Sequence, residues 1–264
     1  MFRRDFLSLM PMLPAFAGGQ GATAASADTA PLLYEWRQYS MRTGTESRRL
    51  DDYLQNALMP ALARLGHTPV GVFQVTFGLP TPTTFVLTPF ATAEALVSRD
   101  QRLDADDAYT KAAAPHLDAT AADPAYVRQE VSILSAFPQF PRIAVPAATA
   151  GKGPRIFELR TYESPSEHAH RAKVKMFAEM GEIEIFKRVG LAPVFFARTL
   201  AGTRMPSLVY MLTHENLAAR DKNWSGFGGD PEWRKLAATP GYSDAEIVSN
   251  ITDILLRPAA YSQL

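Results

Sequence analysis

The 264 residues predict an α+β fold of two successive β-α-β-β-α-β units packed sheet to sheet as one barrel. Three observations carry this. The chain repeats its own motifs at one spacing, a Pro-rich stretch separates the copies, and each copy runs through the same order of strand-like and helix-like patterning. Tyr34-Glu35-Trp36-Arg37-Gln38-Tyr39 matches Phe157-Glu158-Leu159-Arg160-Thr161-Tyr162. Arg64-Leu65-Gly66 with Pro69-Val70 matches Arg188-Val189-Gly190 with Pro193-Val194. Asp106 and Tyr109-Thr110-Lys111 fall on Asp230 and Trp233-Arg234-Lys235, again about 124 positions later. A fixed period of this kind marks a duplicated unit.

The elements follow in order. Residues 1–27 form an address: Arg3-Arg4, an apolar run from Phe6 to Ala17, then Ala25-Ser26-Ala27 as a cleavage site. Paired arginines followed by x-Phe-Leu resemble a twin-arginine export signal, which predicts a periplasmic or secreted protein. The run is too short for a membrane span and is broken by Pro11 and Pro14, so no transmembrane segment is expected. The first unit covers 31–138. Its opening strand is followed by a helix that Thr43-x-x-Glu46 starts, with Leu50, Leu54, Ala57, Ala61 and Leu65 on one face. Strands are expected over Val70–Phe77, Thr84–Thr88 and Tyr126–Ala136. Residues 139–153 form a linker, set within a Pro-rich stretch that includes Pro141 and Pro146.

The second unit covers 154–264. Phe157–Glu163 alternates as a strand. Ser164-Pro165-Ser166-Glu167 predicts a capping box, and Ala172, Met176, Met180, Ile183 and Phe186 continue a helix that Gly190 stops. Val194–Leu200 and Ser207–Thr213 are strands around a turn. Helices over Glu215–Trp224 and Pro231–Ala238 precede a last strand over Glu246–Leu256. The β-α-β-β-α-β order is ferredoxin-like, with helices on one sheet face. The bare faces of two tandem sheets can cover each other, and a homodimer of whole chains is compatible.

Composition narrows function. With 27 basic against 27 acidic residues, nothing gathers polyphosphate, so nucleic acid is not an expected partner. The absence of Cys removes thiolate nucleophiles and cysteine-held metals. No G-K-[ST] phosphate loop, G-x-S-x-G elbow or H-E-x-x-H metal motif occurs. The histidines show no paired ligand spacing, so His67, His116, His168, His170 and His214 are expected at the surface and no metal is expected. No cofactor is expected either, with heme on His67 or His214 as the alternative.

The strand motif carries the candidate site. Residues two apart share a side of a strand, so Glu35, Arg37 and Tyr39 lie together, as do Glu158, Arg160 and Tyr162. Tyr34 and Trp36, with Phe157 and Leu159, form the other side. The expectation is that the apolar side packs on helices and the polar side faces the barrel interior. Two readings are open there. Arg37 or Arg160 holds an anionic or carbonyl group and a tyrosine donates to it, or the Glu–Arg pairs are structural and fix strand register. Trp224 and Trp233 wedge short helices on the core, with a pocket wall as the alternative, and Asp230 is expected as an N-cap.

Phe157-Glu158-Leu159-Arg160-Thr161-Tyr162, the Arg188-x-Gly190 to Pro193-Val194 turn and the Trp224…Phe227…Asp230-Pro231-Glu232-Trp233 run resemble the NIPSNAP domain. The first unit is more diverged, with Asp106-Asp107-Ala108-Tyr109 in place of the D-P-E-W form. The resemblance implies the dimeric α+β barrel superfamily. Eukaryotic members are linked to mitochondria and to vesicle or quality-control roles, whereas bacterial members have no settled reaction. The superfamily includes heme-degrading enzymes and small monooxygenases, whose catalytic histidines have no matching position here. The expectation is an exported protein that binds a small molecule or a protein partner in or around the barrel. A small barrel enzyme of monooxygenase or isomerase type, with Tyr162 or Glu158 as acid or base, is the alternative.

Overall fold

The computed structural model describes residues 30–147, 150 and 153–264. The expected export signal lies outside the described residues, as do four positions of the linker. Eight strands form one closed antiparallel barrel: β1 (Leu33–Ser40), β2 (Gly71–Phe77), β3 (Thr83–Phe90), β4 (Arg128–Ala136), β5 (Ile156–Glu163), β6 (Ala192–Ala201), β7 (Ser207–His214) and β8 (Asn250–Pro258). Their order around the barrel is β1-β3-β2-β8-β5-β7-β6-β4. The first four strands make one sheet and the last four the other. The sheets join edge to edge at β2–β8 and at β4–β6, which leaves no free edge.

In the first half, α1 (Thr45–Tyr53) runs through a π-helical turn, Leu54–Leu58, into α2 (Met59–Arg64). Pro60 lacks the N–H that would bond the carbonyl four residues back, which favours the wider turn at this point. Next come α3 (Ala93–Val97), α4 (Arg99–Asp104) and α5 (Asp107–Leu117). The second half has α6 (Glu167–Ala178), α7 (Glu182–Arg188), α8 (Leu217–Gly229), α9 (Pro231–Ala237) and α10 (Asp244–Ile247). The single helix expected over 167–190 is two, broken at Gly181. Its start also differs: the cap is Ser166, whose hydroxyl accepts from the Ala169 N–H at 3.2 Å. Ser164 is buried with no such bond. In the first half Thr43 is not the cap; the Glu46 carboxylate instead accepts the Arg42 N–H at 2.6 Å. The 246–256 strand expectation resolves into α10 followed by β8.

The Arg-x-Gly motif does the same work in both halves. Gly66 and Gly190 sit at φ 82° and 86°, where a side chain is strained. The arginine two residues earlier reaches the next helix cap: Arg64 bonds Asp106 (Nε, 2.9 Å) and Arg188 bonds Asp230 (2.8 Å). Each aspartate accepts a backbone N–H, that of Tyr109 or of Trp233, at 3.0 Å. Asp230 is the N-cap, as the sequence predicts.

One apolar cluster fills the barrel interior with residues of both halves, among them Trp36, Phe73, Phe157, Phe195, Met211 and Leu256. Two others lie between the outer sheet faces and the helices, one in each half. Thus β3 and β7, covered on both faces, are buried along their whole length. Leu264 belongs to the interior cluster, close to Gly71 and Phe73 near one end. The described first part of the linker is tied down: the Ala144 N–H donates to the Val194 carbonyl at 2.8 Å.

Candidate functional site

The two strand motifs face the helices, not the barrel interior. Tyr34, Trp36, Phe157 and Leu159 belong to the interior cluster, whereas Tyr39 and Tyr162 belong to the clusters under the helices. The expectation for Glu35, Arg37, Tyr39, Glu158, Arg160 and Tyr162 is therefore inverted. The reason is that the barrel interior is a closed core, best filled by large apolar rings. On the outer face, helices supply charged partners that the interior lacks.

In the second half Glu158 has no solvent exposure. Its carboxylate accepts from Arg220 Nε at 2.9 Å, Arg220 NH2 at 2.9 Å, Trp224 Nε1 at 2.8 Å, His214 Nε2 at 3.0 Å and Arg160 NH1 at 3.1 Å. Burial pushes this carboxyl up, but those donors and the charge of Arg160 outweigh it and hold it well below the usual range. The Arg160 guanidinium lies 4.6 Å from the Trp224 ring and 5.6 Å from that of Tyr162. Asp253 accepts from Arg220 (2.9 Å) and Arg160 (3.3 Å), and burial with the nearby Glu158 charge pushes it up to about 6. Tyr162 accepts from the Tyr210 hydroxyl at 3.2 Å. Trp233 packs on Phe227, with ring centroids 4.3 Å apart. Behind these lies Lys173, 1% exposed, 3.0 Å from Asp244 and 3.6 Å from Glu182.

In the first half Glu35 accepts two bonds from Arg37, at 2.9 and 3.0 Å, and one from Arg99 NH1 on α4. Arg99 also donates to Asp100 (Nε, 2.9 Å). Burial pulls Arg37 down, but hydrogen bonding to Glu35 and the fields of Tyr39 and Glu35 raise it, so it stays charged. Asp100 stands one repeat before Trp224, and Tyr109 one repeat before Trp233. Here a cavity of about 350 Å³ opens between sheet and helices, bordered by Arg37, Tyr39, Arg99, Asp100, Tyr109 and His116. The Tyr53 and Tyr109 hydroxyls are 3.0 Å apart. The His116 ring stacks on Tyr53 at 3.9 Å, and burial, with Arg49 and Arg37 nearby, drops its pKa to about 4. It is neutral near pH 7.

The surface expectation fails for four of the five histidines; aromatic rings pack on His67 and His116, and His214 lies on the fully buried β7. His67, His116, His170 and His214 are buried; His168 is exposed. For the heme option, His214 Nε2 is hydrogen-bonded to Glu158, while His67 packs 4.5 Å from Phe90 with its Nε2 unpartnered. Among the described residues, no group of three or more potential ligands is arranged to hold a metal. No helix among them is long and apolar enough to cross a membrane. Sequence reasoning missed Arg99, Arg220, Asp253 and the role of His214. Arg99 and Arg220 are not at the repeat spacing, so comparing copies hides them. His214 was legible: alternation along β7 places it with Leu212 and Tyr210, on the face of Glu158.

Residues 157–263 match the family model NIPSNAP. The second half of this chain is similar to the NIPSNAP family. It includes Glu158, Arg160, Trp224 and Asp253, so most of the charged network lies within the matched span. A NIPSNAP-like domain protein from Burkholderia xenovorans is 21% identical over 42% of this chain and 90% of its own, with a TM-score of 0.38. Two longer solved structures span both halves. A candidate monooxygenase from Lactobacillus acidophilus is 9% identical over 86% of this chain and 94% of its own, TM-score 0.56. One from Fusobacterium nucleatum is 7% identical over 87% and 93%, TM-score 0.54. These two share the α+β barrel fold across both halves of the chain. No curated protein sequence matches it.

Proposed function

We propose that this chain is an exported binding protein, built from a duplicated NIPSNAP-type unit, that holds a small organic molecule in the cavity of its first half. The observation that carries this is the contrast between two related charge sets. Glu158 is saturated by donors, and the indole of Trp224 covers one face of Arg160. One repeat before Trp224 stands the smaller Asp100, and a cavity borders Arg37, Tyr39 and Asp100. Arg37 holds Glu35 through Nε and Nη2 and is also bonded to Tyr39, and both Arg37 and Tyr39 border the cavity, where a ligand oxygen would meet them. Glu35 and Asp100 offset the charges of Arg37 and Arg99. A carbonyl or a single carboxylate therefore suits the site better than a polyanion. The surrounding phenols and the neutral His116 suit a planar organic body.

The test is ligand-observed NMR with benzoate, 4-hydroxybenzoate and acetophenone, alongside native mass spectra of the purified protein. Binding of at least one probe is expected, weakened tenfold or more in Arg37→Gln at temperatures where that variant, though less stable, is fully folded. A wild type that binds none of them and carries no extra mass would end this reading. So would an Arg37→Gln protein that melts lower yet binds as before, which would make the pair structural. A second reading, a small enzyme using the same cavity, has one observation behind it: the close Tyr53–Tyr109 hydroxyl pair beside a neutral His116. Chemical change of a bound probe, lost in His116→Phe, would select it.

A further inference from the structure

A second cavity, separate from the one under the helices, lies inside the barrel at one end and holds about 270 Å³. The sequence builds it strand by strand. On β1 the inward residues run Tyr34, Trp36 and then Gln38, and on β5 they run Phe157, Leu159 and then Thr161. From β4, β6, β7 and β8, Ser132, Thr199, Ser207 and Thr252 complete a polar layer in the same way. Beneath it is an apolar floor that includes Leu159, Ile254 and the Trp36–Phe85 pair, stacked at 4.8 Å and 19°. This layer is not simply the wet end of a barrel: Ser207 is 1% exposed, Thr199 is 9% exposed, and their hydroxyls are 2.8 Å apart. The lining comes from both halves, so neither half alone makes the site.

We infer that this mouth binds a neutral polyhydroxylated molecule of about monosaccharide size. Hydroxyls and a carboxamide both donate and accept, which suits a ligand whose own hydroxyls do the same. The two charged lining residues have opposite sign, and each already has a partner. Glu130 accepts from Gln38 at 3.2 Å, and Arg204 donates to Thr252. Neither calls for a charged ligand. The aromatic and aliphatic floor matches the C–H face of a sugar ring.

The test is saturation-transfer NMR on the whole protein with D-glucose, D-galactose and D-ribose at millimolar concentration. Binding of at least one sugar is expected, weakened tenfold or more in Ser132→Trp, which fills the mouth. In Thr252→Val, which keeps the shape and removes one hydroxyl, a severalfold weakening is expected and guards against a misfolded first variant. Arg37→Gln binds sugar as the wild type does, which separates this site from the one proposed above. No sugar signal in the wild type overturns the inference, as does a signal that survives both mouth variants. Binding of 1-hexanol but of no sugar also overturns it, since the cavity would then be an apolar one.

Discussion

The two halves share a backbone plan and a Glu-x-Arg-x-Tyr strand, yet they use the charges differently. Glu158 takes five donors, three of them from Arg220 and Trp224 on α8. Glu35 takes three, from Arg37 and Arg99. The aromatic residue at Trp224 is matched by Asp100, and the indole of Trp233 by the phenol of Tyr109. The lesson is that a repeated motif fixes where a carboxylate stands, while helix residues outside the motif decide whether it is locked or beside open space. In the second half the set is locked. In the first half it borders a cavity.

The comparison can be broken at its strongest point first. Glu158→Gln removes a carboxylate from four buried or half-buried partners and is expected to cost about 3–5 kcal/mol in urea unfolding. Glu35→Gln, with fewer donors left over, is expected to cost about half that. Equal losses would show that the two sets are equivalent supports, and the functional contrast would fall with them.

The next effect depends on pH. Glu182 is wholly enclosed, and burial pushes it up to about 7, although the Lys173 charge opposes this. Lys173 is itself pulled down by burial but held charged by Glu182 and Asp244. A carboxyl whose folded pKa lies above its unfolded value of 4.5 favours the fold when protonated. Its contribution is whole below pH 4.5 and is lost as pH rises through about 7. The loss is on the order of 3 kcal/mol if no other group moves. Glu182→Gln is expected to flatten stability across that window. A wild-type curve that rises from pH 5 to 7, with Glu182→Gln parallel to it, would show that Lys173 keeps Glu182 ionised.

A smaller change sharpens the comparison by converting one half toward the other. Asp100→Trp places an indole on the cavity border at the position one repeat before Trp224. It is expected to weaken probe binding at Arg37 tenfold or more with little change in melting temperature. Unchanged binding would place the ligand elsewhere. Smallest of all, Arg64→Ala and Arg188→Ala remove solvent-screened bonds to the two cap aspartates. Both should shift melting barely and equally, since exposed ion pairs contribute little. A large loss in one half only would show that its short helices depend on the arginine.

Much of this was legible in the residues. Alternation and apolar spacing located seven of the eight strands closely, and the repeat of Tyr34–Tyr39 in Phe157–Tyr162 announced two matching halves. Asp106 and Asp230 were readable as caps because a short acidic side chain before a helix accepts free backbone N–H groups. The cap at Ser166 and the break at Gly181 were less so: two serines two apart compete for one helix start, and the apolar spacing runs on across the three residues, 179–181, that separate the two helices.

What the sequence determined by itself was grouping: which segments match and which residues share a side of a strand, Glu35, Arg37 and Tyr39 among them. Period-2 alternation cannot say which side turns inward, because both sides of these strands are largely buried. Closure of the barrel decided that. It gave the apolar part of the interior to Tyr34, Trp36, Phe157 and Leu159, whose side chains pack there, and set the carboxylates where α4 and α8 bring Arg99 and Arg220 within hydrogen-bond reach. Those contacts join residues 62–66 positions apart, a distance that only the folded chain spans.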